Sequence, residues 1–163
     1  MLILLFNNFW IVLILFVCAN ALVLKIKSKK YIANNPFLKK GYDNLIKAEL
    51  FYCNIPWVIM GVGNTTSVTK SITDYFNPHS ENYFVLAFYF SILVIWTLGT
   101  RWIYFKNGAI FLENHPGLLR GERFGTRNNV NAKQIKIFWG VITLVLCIRV
   151  IIYFINYLHL GET

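Results

Sequence analysis

Acidic side chains are scarce in this chain. Seven Asp and Glu stand against sixteen Lys and Arg among 163 residues, and charged residues of both signs reach only 14%, where a soluble domain carries about a quarter. So little charge excludes an ordinary soluble domain, whose surface must be wetted on every side. Cysteine is equally sparse, with Cys18, Cys53 and Cys147 far apart, and this excludes a disulfide framework or a cysteine metal cluster. His79, His115 and His159 lie in separate connectors or the tail and lack the paired spacing of a helical metal site. Glycine-rich phosphate loops, a serine elbow and paired-carboxylate motifs are all missing, so an enzyme would need a site assembled across helices, and no cofactor is called for. Neither an internal repeat nor a low-complexity tract is present.

What is abundant is apolar: 56% of residues are hydrophobic and 17% aromatic. A bilayer core about 30 Å thick takes roughly 20 apolar residues per helix, so about four spans with short connections use nearly the whole chain. The sequence therefore predicts an all-α integral membrane protein with transmembrane helices at about 2–24, 45–63, 83–105 and 135–158, and no separate soluble domain.

The first span, Leu2 to Leu24, is followed at once by Lys25, Lys27, Lys29 and Lys30, a basic stop. Ala19-Asn20-Ala21 resembles a cleavage site, but a secretory signal carries its charge before the apolar run and here the charge follows. The second stretch is ambiguous, because Lys47 and Glu49 stand near its start and Pro56 lies inside it. Loop charge arbitrates. Residues 25–47 hold seven lysines, 64–83 only Lys70, 101–136 seven Lys or Arg, and the tail after Asn156 none. If the second stretch crosses, loops 25–44 and 106–134 are cytoplasmic, loop 64–82 is outer, and both termini lie on the non-cytoplasmic side, as the positive-inside rule requires. A re-entrant second stretch would put similarly basic loops on opposite sides. Tyr83, Trp102, Tyr104, Trp139 and Tyr157 near the span ends suit the headgroup region.

Within the first inner loop, Asn34-Asn35-Pro36 precedes a weakly amphipathic stretch in which Phe37, Leu38, Tyr42, Leu45 and Ile46 are set among Lys39, Lys40 and Lys47. Two readings stand: a short interfacial helix with its apolar groups in the membrane surface, or a solvated loop. The third loop carries the turn signal His115-Pro116-Gly117 and then Arg120, Arg123 and Arg127. The net charge of +9 flanks helices where insertion and anionic lipid headgroups alone would place it, and those arginines have only Phe124 beside them, which argues against nucleic acid as a partner. Asn64-Thr65-Thr66 is a glycosylation sequon that matters only in a eukaryotic secretory membrane, whereas the heavy use of Asn, Ile and Lys suits a bacterial cytoplasmic (inner) membrane.

Polar residues inside spans are the remaining candidates. Arg149 lies about 20 Å along its helix from Lys136 and costs at least about 2.5 kcal/mol at such depth, so it should face protein, a polar cavity or a partner. Either it binds an anion or coupling charge, or it is simply ion-paired or snorkels. Asn156 lies two turns on. Glu49, Asn54 and Pro56 make the second helix kinked and polar, as in transporters or as plain packing. Ala87 and Ser91 form a small-xxx-small pair. The leading expectation is a non-enzymatic membrane subunit that assembles with itself or with a partner protein and offers its basic cytoplasmic face for docking or sensing. The alternatives are a small channel or transporter using Arg149 and the kinked second helix, and a lipid-modifying enzyme using Glu49, His115 or the third-loop arginines.

Overall fold

The computed structural model describes residues 8–76, 82–118 and 130–160, which are helical throughout apart from turns, with no strand among them. The helices are α1 (Phe9–Asn34), α2 (Lys39–Tyr52), α3 (Ile55–Thr65), α4 (Tyr83–Phe105), α5 (Gly108–Asn114) and α6 (Ala132–Leu160), with 3-10 turns at Pro36–Leu38 and Ile72–Phe76. Three stretches are long and apolar enough to cross a bilayer: Phe9–Asn34, Pro36–Thr65 and Tyr83–Phe105.

Helix α1 runs through 26 residues, about 39 Å, and so continues past the apolar span into the lysine-rich segment. The segment expected as a basic loop at 25–44 is thus largely helical. Lys, Ile and Ala propagate a helix without difficulty, and no breaker stands before Asn35, which Pro36 forces out of the helical region to an extended conformation (φ −145°). Asn35 Oδ1 accepts from the Phe37 N–H at 3.2 Å and starts the 3-10 turn that reverses the chain into α2. The second apolar stretch is broken as its proline demands. Helix α2 ends at Tyr52, α3 begins at Ile55 with Pro56 in its first turn, and the Asn54 side chain donates to the Leu50 carbonyl at 2.7 Å. Helix α6 starts with a reciprocal cap: Asn131 Oδ1 accepts from Gln134 N–H at 2.9 Å while Gln134 Oε1 accepts from Asn131 N–H at 3.1 Å.

The chain divides into two compact units. The first is Met1–Gly99 with His115–Leu118, in which α1 packs on α2 and α3. Its core is Met60, Tyr75, Val85 and Phe88, with Trp10 and Trp57 against it. Gly61 is required there, because a Cβ would lie 2.8 Å from the Trp10 indole. Residues 66–76 fold back over this core. Thr69 and Tyr75 are each 2% exposed, Tyr75 Oη donates to the Met60 carbonyl at 3.4 Å, and the Tyr89 hydroxyl donates to the Tyr75 carbonyl at 2.7 Å. Burial raises the Tyr75 phenol above its ordinary pKa and Asp74 adds to the effect, against an opposing hydrogen bond with Thr69.

The second unit is Thr100–Asn114 with Leu119–Thr163, where α5 packs on α6. Ile103, Ala109 and Ile135 form its core, flanked by Trp102, Leu112 and Trp139. Three of the aromatic residues assigned from sequence to the membrane boundary hold this unit together. Trp139 Nε1 donates to Thr100 Oγ1 at 3.0 Å, the Tyr104 hydroxyl donates to the Lys136 carbonyl at 2.7 Å, and Trp102 packs edge-on to Phe111 at 5.7 Å.

Candidate functional site

The chemistry-bearing residues gather around the elbow between α1 and α2. Helix α2 is amphipathic. One face buries Tyr42 (1% exposed) and Ile46 (9%), and the other presents Lys39, Lys40, Asp43, Asn44 and Lys47 at helical spacing. That outer face and the preceding turn line an open groove of about 500 Å³, with Pro36 and Phe37 at one end and Lys47 at the other. Three ammonium groups and one carboxylate, 3 − 1, leave the lining at +2. Lys39, Lys40 and Lys47 are exposed, and none of them makes an ion pair among the described residues, so their charges stay available to an external anion. Phe37 stands 94% exposed beside them.

The buried face of α2 receives the turn after α5. The Tyr42 hydroxyl donates to the Pro116 carbonyl at 2.6 Å, and the Tyr42 and His115 rings meet edge to face at 5.1 Å. His115, 8% exposed, lies directly over Gly41, where an added methyl would collide with its imidazole. Gly117 adopts φ +82°, a conformation that side chains resist, and it seats against Tyr31. The contact works as a clamp: a turn distant in sequence is held on the elbow by one hydrogen bond, one ring contact and two glycine positions.

This arrangement revises the interfacial-helix alternative. The helix exists, but Tyr42 and Ile46 are buried in protein and not free to enter the membrane surface, so that of Phe37, Leu38, Tyr42, Leu45 and Ile46 Phe37 alone is fully exposed. Lys25, Lys27, Lys29 and Lys30 are exposed on the last turns of α1, with Lys30 Nζ 5.9 Å from the centre of the Tyr31 ring. Arg120, Arg123, Arg127, His79 and Glu81 lie outside the described residues, and so do the side chains of Asn156 and His159 in α6 or its end. Arg149 is exposed on α6 and makes no ion pair with a carboxylate among the described residues. Glu49 and Asn54 are half-buried and Pro56 is buried, all in the broken second stretch, and Asn54 Oδ1 has no hydrogen-bond partner. On α4 only Ser91 of the small pair is buried, donating to the Phe88 carbonyl at 2.7 Å, while Ala87 is exposed.

Among the described residues no group of His, Cys, Asp and Glu is placed to hold a metal ion, and all three cysteines are free. Comparison of the chain with protein-family models, curated proteins and solved structures gives no match. Sequence reasoning passed over Gly41, Asp43, Asn44 and the Tyr42–Pro116 bond. The Lys39, Asp43, Lys47 spacing of four was a readable sign of one shared helical face, whereas the bond spans 74 positions and leaves no local trace.

Proposed function

We propose that this chain is a four-span membrane protein of the bacterial cytoplasmic membrane, with both termini outside the cytoplasm, that serves as a non-enzymatic subunit of a homo- or hetero-oligomeric complex. Its basic cytoplasmic face, the lysines of α1 and α2 with the arginines of the third loop, is the docking or sensing surface. The fourth span, 135–158, falls within α6, whose 29 residues extend about 43 Å. One observation carries the reading: only 11%, 22% and 17% of the most apolar stretches of Phe9–Asn34, Pro36–Thr65 and Tyr83–Phe105 are buried within the chain. The spans satisfy few of their packing contacts internally, so most of their surface is open to lipid or to other helices.

The test is particle mass. Purified from its native membrane in mild detergent, the chain of 19.0 kDa is expected in a particle holding more than one polypeptide, recovered reproducibly. A clean monomer refutes the subunit reading. Cysteine-accessibility mapping is expected to place residues 66–76 outside and residues 25–44 inside, and the reverse or a mixed pattern refutes the four-span topology.

A further inference from the structure

We propose that the groove on the outer face of α2 is a binding site for the phosphate headgroup of an anionic phospholipid of the inner leaflet. The inference rests on the membrane reading above and deepens it by giving one lipid class one address. Three observations on the same twelve-residue segment converge. The first is charge: Lys39, Lys40 and Lys47 face one concavity, carry no carboxylate partner among the described residues, and exceed Asp43 by two charges, which suits a phosphodiester and its neighbouring hydroxyl or second phosphate. The second is depth. The groove lies where the lysine-rich end of α1 turns into the second apolar stretch, the level at which the positive-inside pattern puts headgroups. The third is Phe37, 94% exposed at the groove's end, an apolar ring next to the charge. A soluble anion has no use for that ring, whereas a lipid offers it the glycerol and first acyl carbons. Asn44 supplies an amide for headgroup hydroxyls, and Asp43 disfavours a second anion crowding the site.

The test uses the full chain, purified after incorporation into vesicles of equimolar phosphatidylglycerol and phosphatidylcholine, with retained lipid counted by mass spectrometry. Phosphatidylglycerol is expected to be enriched over phosphatidylcholine. Near an anionic surface a basic residue is worth about 1 kcal/mol, so each lysine replaced should lower the enrichment roughly fivefold, and Lys39→Gln/Lys40→Gln/Lys47→Gln should bring it close to parity. Lys106→Gln/Lys133→Gln, which removes two exposed charges that belong neither to the groove nor to the α1 and α2 docking lysines, is the control and should keep most of it. Retained enrichment in the triple variant, or an equal loss in the control, overturns the site in favour of diffuse attraction. Displacement of the lipid by millimolar inorganic phosphate would also overturn it, by showing that the anion need not be lipid-borne. Failure of the chain to enter vesicles at all would instead bring down the membrane reading on which the site depends. Circular dichroism of each variant confirms that helix content is unchanged, so that a loss of enrichment counts against the lysines and not against the fold.

Discussion

Replacing Gly41 by Ala tests the clamp most sharply, because two effects of opposite sign meet at one methyl group. Alanine is the better helix former by up to about 1 kcal/mol, and Gly41 lies in the first turn of α2, where that gain should appear. Against it stands the His115 ring: Nε2 is the nearest atom, Cε1 and Cδ2 lie 2.8 and 2.9 Å from where the methyl would sit, and the ring is 8% exposed and held in edge-to-face contact with Tyr42. Forcing a methyl into such a contact costs about 1–3 kcal/mol. The net expectation for Gly41→Ala is a loss of up to about 2 kcal/mol. In a His115→Ala background the collision is gone, and the same substitution should instead stabilise by up to about 1 kcal/mol, so the coupling between the two positions equals the collision cost of about 1–3 kcal/mol. Unfolding in detergent, followed by the fluorescence of the five tryptophans, measures all four corners of the cycle. A Gly41→Ala variant that gains stability equally in both backgrounds would show that His115 does not sit on Gly41, and the clamp would fall with it.

Tyr42→Phe should lower stability by about 1–3 kcal/mol in the same unfolding assay, since it leaves the Pro116 carbonyl without its donor while preserving the ring; no change would mean that water replaces the bond freely. Tyr75 predicts an alkaline limit. Its pKa is raised on folding, so the folded state holds the proton more tightly, and the associated stability is complete below the ordinary value of 10.0 and is lost as the pH rises through and beyond it. Melting temperatures measured from pH 8 to 11 should fall less steeply for Tyr75→Phe, from a lower starting point, and parallel curves would contradict the assignment. For Arg149→Leu, translocon insertion of the α6 segment should become easier by about 3 kcal/mol; an unchanged insertion efficiency would place Arg149 at the interface and not at depth.

Apolar runs and their punctuation were enough to read off the all-helical class and three stretches long and apolar enough to cross a bilayer. The runs are long, each is self-contained, and an α-helix satisfies its backbone within the segment, so local sequence dictates the element without help from distant residues. Pro56 marked the break in the second stretch because a proline acts on its immediate neighbours, whereas the first helix, expected to end at Leu24, runs on to Asn34 because no breaker stands before Asn35-Pro36. The lysines of residues 25–47 were legible as a charge pattern, and the spacing of four through Lys39, Asp43 and Lys47 was a readable sign of one helical face that went unused.

Tertiary structure alone decided which side of α2 that face would be. Tyr42, Leu45 and Ile46 look alike in sequence, and only the turn at His115-Pro116 determines that Tyr42 is sealed while Lys39, Lys40 and Lys47 line an open groove. Gly41 shows the same limit. It reads as an ordinary flexible position inside a helix, and the need for it appears only once an imidazole 74 residues away is laid across it, a contact that no periodicity or composition encodes.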